Sequence, residues 1–234
     1  MAIEDDDDQE QEIVGEVTDN QVLSILLYSL NLRVRRRVAI GRKARNALLT
    51  LFVLCLLLVG LTLAPEATEK DRVMNLPAIH LQVPTYFMIC IGPFLITLLH
   101  YFWISFAQIY YRAQDEIFAL FDRPEFNRYG RLLDVYDLAE DPSMISTLFS
   151  SFFVEAGAQT ALFRFFTCAI VIAPVAVQAY LSYRSLQILW LTDWKELLPA
   201  IRGFGGAVIY VLLLCFSLVQ SISLFRFLRR TAAA

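Results

Sequence analysis

Charged side chains are scarce in this chain. Only 18% of its 234 residues are Asp, Glu, Lys or Arg, whereas 57% are hydrophobic, and about a quarter of a soluble domain is charged. Four long runs contain no charged residue at all: 47–64, 84–111, 165–183 and 203–225. A hydrocarbon core about 30 Å thick needs roughly 20 helical residues, and a helix satisfies its own backbone there. The composition excludes an ordinary soluble domain and predicts an all-α, polytopic membrane protein with four transmembrane helices and interfacial amphipathic helices.

Histidine and cysteine are also sparse. The two histidines, His80 and His100, fall on different parts of the predicted topology, and no Cys or His pair has the spacing of metal ligands. Cysteines buried in hydrocarbon behave as small apolar residues. One lies in each predicted span: Cys55, Cys90, Cys168 and Cys215. We therefore expect no metal, no cofactor and no disulfide framework.

Catalytic motifs are missing from the sequence. It contains neither the G-x-S-x-G motif of hydrolases nor the H-E-x-x-H motif of metalloproteases. The glycines of 203–206 lack the Lys-Ser/Thr of a phosphate-binding loop. Four carboxylates lie between the second and the third run: Asp134, Asp137, Glu140 and Asp141. They can be read as an acid–base or metal-binding group, but a solvated helix face is the simpler interpretation. The sequence predicts a protein that is not an enzyme.

Basic residues are distributed unequally between the loops. Fifteen of the twenty Lys and Arg residues precede the first run, separate the second run from the third, or follow the fourth. Because basic loops stay in the cytoplasm, this distribution predicts that both termini are cytoplasmic. An even number of spans agrees with that topology.

In the N-terminal part, acidic residues come first and basic residues follow them. The first 32 residues contain no Lys or Arg, and residues 1–18 are expected to form an acidic disordered tail. Residues 19–46 are expected to form an amphipathic basic cytoplasmic helix on the membrane surface; packing against the rest of the cytoplasmic part is the alternative. Its basic residues would each gain about 1 kcal/mol from anionic lipid: Arg35, Arg36, Arg37, Arg42, Lys43 and Arg45. The acidic tail would compete for them, which argues against nucleic acid as a partner.

Residues 47–234 are predicted to form the four-helix transmembrane bundle. Its cytoplasmic helical connection covers residues 112–164, and the second span is expected to continue through Phe121. Alternation of Ile79, Leu81 and Val83 predicts a strand that leads into the second span. The loop 184–202 is expected to form a helix on the outer interface.

Polar residues follow one side of two predicted spans. At about 100° per residue, Thr97, Tyr101 and Gln108 lie within roughly 40° of one another. The polar stripes consist of Thr97, His100, Tyr101 and Gln108 on the second span and Ser217, Gln220 and Ser221 on the fourth. They predict either interhelical hydrogen bonds, worth about 0.6–2 kcal/mol each, or a narrow polar pathway formed by several copies. A lone histidine such as His100 is more often a neutral hydrogen-bonding partner than a proton relay.

Short motifs resemble a known membrane module. They are Asn75-Leu-Pro-Ala-Ile-His-Leu-Gln-Val-Pro84, then Phe87, Pro93 and Leu98-Leu99-His100-Tyr101, and later Ile172-Ala-Pro174-Val-Ala-Val-Gln-Ala-Tyr180. Over residues 20–195 the chain is similar to the bacterial multi-pass membrane module in the N-terminal part of pentapeptide-repeat and related multidomain proteins. The resemblance carries over no catalytic residues, and no such repeats follow the fourth span. It implies a bacterial inner-membrane component whose activity comes from assembly or from a partner.

Two functional hypotheses follow from these features. The first is a non-enzymatic bacterial inner-membrane subunit that acts as a membrane effector or anchor within a multiprotein system, such as one for phage defence. Its partners would be the lipid bilayer and other subunits, bound as a homo-oligomer or hetero-complex through the spans and the cytoplasmic helices. The alternative is a small oligomeric channel or transporter.

Overall fold

Four long helices make up most of the protein. The computed structural model describes residues 6–63, 73–76, 81–121, 158–191 and 204–231. The elements are α1 (Asp6–Leu63), β1 (Val73–Leu76), β2 (Leu81–Pro84), α2 (Thr85–Phe121), α3 (Ala158–Leu191) and α4 (Phe204–Thr231). Each helix contains a segment long and apolar enough to cross a membrane: Ser24–Leu63, Thr85–Ile117, Ala161–Ile188 and Gly206–Arg229. The predicted all-α class and the four spans are confirmed.

The helices extend beyond the uncharged runs. Residues 6–18 belong to α1, so the predicted disordered tail is wrong for them, and residues 19–46 continue the same helix instead of forming a separate one. No proline occurs before Pro65 to interrupt the helix, and carboxylates at its start favour the positive end of the helix dipole. α3 likewise includes residues 184–191 of the predicted outer loop.

The second span has the predicted surroundings. α2 continues through Phe121, and β2 covers Leu81 and Val83 of the predicted strand. β2 pairs antiparallel with β1, with Val73 opposite Pro84 and Leu76 opposite Leu81. The connection 122–157, with its four carboxylates, and residues 192–203 lie outside the described residues.

The chain divides into two compact units. Unit 1 comprises residues 1–41 and 109–143, and unit 2 comprises residues 42–108 and 144–234. In unit 1, Leu30 of α1 packs against Ile117 of α2. Arg33 Nη1 also donates a hydrogen bond to the Glu116 carbonyl oxygen, at 3.2 Å. Its 3.8 Å ion pair with the Glu116 carboxylate is solvent-exposed, so it contributes no more than about 1 kcal/mol.

Burial along α1 follows alternating steps of three and four residues. In unit 2 the buried positions are Ala44, Leu48, Leu51, Cys55, Leu58 and Thr62. This is the spacing of a packed helical seam. In unit 1, Leu30, Arg37 and Gly41 are buried with compatible spacing. Arg37 is only 2% exposed, which contradicts its predicted place on the membrane surface. It is buried because it lies on the packed side of α1, together with Leu30 and Gly41.

A glycine lets three helices of unit 2 approach one another closely. A Cβ atom on Gly92 of α2 would lie 3.0 Å from Leu58 Cδ1 of α1 and 3.5 Å from Leu181 Cδ1 of α3. At Gly60 of α1 no atom lies within 4 Å of such a Cβ. Small residues of this kind allow close helix packing where the surrounding lipid supplies no hydrophobic drive. Thr62 Oγ1 adds a hydrogen bond to Tyr180 Oη at 3.2 Å, which also joins α1 to α3.

We predict that Gly92→Val destabilises the bundle by about 1–3 kcal/mol, because the added methyl groups overpack the contact with Leu58 and Leu181. The matched control Gly60→Val introduces the same side chain into open space. Thermal unfolding of both variants in detergent checks this prediction. Equal melting temperatures for the two variants would contradict it.

Candidate functional site

Pro93 interrupts the backbone hydrogen bonds of α2. A proline has no N–H, so the carbonyl four residues earlier, that of Ile89, loses its helical donor. In the structure Ser185 Oγ of α3 lies 3.0 Å from this carbonyl oxygen and 2.7 Å from the Leu181 carbonyl oxygen of its own helix. One hydroxyl hydrogen therefore serves both carbonyls. A neighbouring helix replaces the donor that Pro93 removes, which is how membrane proteins tolerate proline within a span.

The next carbonyl of the same turn is bound by another helix. Tyr210 Oη of α4 donates a hydrogen bond to the Cys90 carbonyl oxygen at 3.0 Å. One turn further along α2, Thr97 Oγ1 donates to the Pro93 carbonyl oxygen at 2.8 Å. Thr97 Oγ1 also accepts a hydrogen bond from Gln178 Nε2 of α3 at 2.7 Å. The turn around Pro93 is thus tied to both α3 and α4 by side-chain hydrogen bonds.

His100 lies beside a second proline interruption. Pro174 of α3 cannot donate to the Ile170 carbonyl, and the His100 ring lies next to the backbone of the following residue, Val171. Val171 can therefore hold one ring nitrogen, and no other described residue forms a hydrogen bond with either of them. The side chain is completely buried. Its ring stacks on Trp103, with centroids 5.8 Å apart.

Several other buried polar atoms have no hydrogen bond in the described part of the chain. They are Gln178 Oε1, Ser182 Oγ and Ser217 Oγ. We call His100, Gln178, Ser182 and Ser217 the midplane cluster. His100 and Ser217 lie at the middle of the spans Thr85–Ile117 and Gly206–Arg229, and Gln178 is one turn from the middle of Ala161–Ile188. Ser182 is about two turns from that middle, so the cluster covers the central part of the membrane-spanning segments.

The predicted stripe on the second span is divided between two neighbours. Thr97 binds Gln178 of α3, whereas Tyr101 lies against Phe216 of α4, with ring centroids 5.9 Å apart. Gln108 Nε2 lies 3.4 Å from Ser223 Oγ of α4. The stripe therefore makes contacts between helices, which agrees with the hypothesis of interhelical hydrogen bonds. It does not, however, face one helix only.

The fourth-span residues make fewer contacts than predicted. Ser221 Oγ donates back to the Ser217 carbonyl oxygen of its own helix at 3.0 Å. Gln220 is partly buried, and its side chain makes no hydrogen bond to a described residue. The partner of Gln108 is Ser223 instead.

Sequence reasoning missed the polar face of the third span. Gln178, Ser182 and Ser185 are all buried and follow one another at intervals of four and three residues. That spacing places them on one side of α3, directly after Pro174. A search for helical spacing of polar residues near prolines would have found them. It would not have found Tyr210, whose role depends on how α4 packs.

The basic residues form a separate feature. Five of the six predicted surface residues are exposed along α1: Arg35, Arg36, Arg42, Lys43 and Arg45. Only Arg37, described above, departs from the prediction. Contact of the exposed five with anionic headgroups stays a prediction.

The chemistry of the midplane cluster is that of neutral hydrogen bonding. It contains an imidazole, an amide and two hydroxyls, with no carboxylate among them. Among the described residues no three His, Cys, Asp or Glu side chains come together as metal ligands. The arrangement can bind and orient small polar groups within the membrane.

Similarity to other proteins adds nothing to this description. No protein-family model matches the chain, and no curated protein or solved structure shows significant similarity to it. The contacts of the described residues are therefore the basis for the function proposed below.

We predict that Ser185→Ala destabilises the wild-type protein by about 0.6–2 kcal/mol, because the Ile89 carbonyl then loses the donor that replaces the missing N–H of Pro93. In a Pro93→Ala background the helix can supply its own N–H to Ile89, so the same substitution should cost much less. Unfolding free energies of the two single variants and the double variant check this coupling. Additive effects would show that Ser185 does not compensate for Pro93.

Proposed function

We propose that this chain is a non-enzymatic membrane subunit that acts by assembling with other chains through its spans. The observation that supports this proposal is the small buried share of α4. Only 17% of the most apolar 18-residue stretch of α4 is buried, whereas 44% of the corresponding stretch of α2 is buried. Between Gly206 and Phe216, only Gly206 is buried. One copy of the chain thus leaves most of this helix uncovered.

Uncovered apolar side chains alone do not require a partner, because lipid covers them equally well. Polar side chains are different, since an amide in hydrocarbon loses the hydrogen bonds it makes in water. Gln108 and Ser223 form an exposed pair, and Gln220 lies on the same part of α4. All three fall within the segments that can cross the membrane. A second chain that brings its own amide to this place satisfies them, because an amide both donates and accepts.

The role that fits such a subunit is that of a membrane effector or anchor in a multiprotein system. The resemblance to the bacterial multi-pass module supports the bacterial inner membrane as its location and phage defence as one such system. The distribution of basic residues supports cytoplasmic termini. The five exposed basic residues of α1 support attachment of that helix to anionic lipid.

A small channel or transporter is the second candidate, and the midplane cluster favours it. Unpartnered polar groups in the middle of spans often mark a pathway for a polar substrate. Against this, the described spans carry no carboxylate at that depth, and all four members of the cluster are buried.

We predict that Gln108→Leu and Gln220→Leu each weaken self-association by about 3- to 30-fold, the equivalent of 0.6–2 kcal/mol for one interhelical hydrogen bond. Gln187→Leu is the matched control, since Gln187 bonds within α3 to Tyr183, at 2.7 Å. Single-molecule counting of labelled copies in liposomes measures the distribution of oligomers over a range of lipid dilutions.

Ion flux in the same liposomes separates the two candidates. The assembly proposal expects no conductance from wild type or variants. Conductance that Gln220→Leu abolishes while the oligomers stay unchanged would overturn the proposal in favour of a channel. A wild-type protein that remains monomeric at every dilution would contradict assembly through copies of this chain and leave only a different partner chain.

A further inference from the structure

We infer that the midplane cluster is a binding site for water inside the membrane. Its water molecules would be shared by His100 of α2, Gln178 and Ser182 of α3, and Ser217 of α4. This site is distinct from the exposed Gln108, Gln220 and Ser223, on which the proposed assembly depends.

The first argument is burial without partners. His100 and Gln178 are 0% exposed, Ser217 is 1% exposed and Ser182 is 7% exposed. The ring nitrogen of His100 that does not face Val171, Gln178 Oε1 and the two serine hydroxyls have no hydrogen bond to a described residue. A buried polar group left in this state is costly, and native proteins satisfy nearly all such groups with protein atoms or ordered water.

The second argument is similar depth. Thr97 lies one turn before His100 on the same face of α2 and is bonded to Gln178. Ser182 lies one turn after Gln178 on the same face of α3, and since α3 runs antiparallel to α2, it lies on the other side of the Thr97–Gln178 bond from His100. On α4, Ser217 follows Phe216, which lies against Tyr101, the neighbour of His100. The unpartnered atoms of the three helices therefore lie within about two helical turns of depth.

The third argument is the chemistry of the free atoms. Neutral imidazole offers one donor and one acceptor, each hydroxyl offers both, and the free atom of Gln178 only accepts. Water, which donates twice and accepts twice, matches such a mixed set. A cation would find no carboxylate in the cluster, and an anion would find no permanent positive charge.

Magnetic resonance on histidine can detect this water directly. The chain has only two histidines, so His80→Gln leaves His100 as the single labelled ring. Full-length protein with ¹⁵N-histidine is placed in phosphatidylethanolamine–phosphatidylglycerol vesicles. Polarisation is then transferred from water protons to the ring nitrogens. We expect transfer to His100 even though the ring is buried and stacked on Trp103.

Substitutions then test whether the other members hold the same water. Ser217→Ala and Gln178→Leu should each lower the transfer by roughly a third to a half, because a buried water makes about three hydrogen bonds. Ser24→Ala is the matched control and should leave the transfer unchanged, because the exposed Ser24 hydroxyl bonds within α1 to the Gln21 carbonyl oxygen.

The wild-type measurement decides the proposal even if a variant does not fold. No transfer from water to His100 would show that the cluster is dry and would overturn it. Transfer that Ser217→Ala and Gln178→Leu leave unchanged in folded protein would also overturn it, since the water would then belong to another site. Neither result depends on whether the protein assembles, so failure of this proposal is distinguishable from failure of the proposed function.

Discussion

Inside a membrane, every carbonyl that a proline deprives of its donor needs a replacement, and this requirement organises unit 2. Pro93 removes the donor to the Ile89 carbonyl of α2, and Ser185 of α3 replaces it. Tyr210 of α4 binds the next carbonyl, that of Cys90. Each of these side chains has to reach one particular oxygen, so it fixes the depth and rotation of the helix that carries it. Apolar packing against lipid-like surroundings is far less selective about register. The proline thus makes α2 the helix against which the others are aligned.

The sequence predicts the number and identity of the spans, because bilayer thickness sets the length of a spanning helix and the cost of a charge in hydrocarbon keeps charged residues out of it. It predicts element ends less well. The start of α1 depends on whether acidic residues 6–18 extend the helix formed by the residues after them. A rule that predicts disorder from composition does not consider such an extension. The extension of α3 to Leu191 similarly depends on neighbouring packing at Ile188, which contacts Ile89. Local composition does not contain that information.

The candidate site was only half predictable, for a related reason. Thr97 and His100 stand out because polar residues are rare in an apolar span. Gln178 and Ser185 belong to a less obvious pattern, and their importance becomes clear only when each is set against the carbonyl it faces. Arg37 shows the opposite case: its charge predicts exposure, whereas its place among the buried positions of α1 determines its actual burial. In each example the packing of the neighbouring helix determines whether the side chain is buried and which atom it binds, and the residue type alone does not.

The junction between the hairpin and the second span gives the protein a mechanical property. β2 ends at Pro84 and α2 begins at Thr85, so no residue of slack separates the paired strands from the helix. Pro93 lies only two to three turns further along. A pull or tilt applied to the β1–β2 pair is therefore delivered to the turn whose carbonyls are tied to α3 and α4. The hairpin is thus directly coupled to a turn of α2 that is bonded to both α3 and α4.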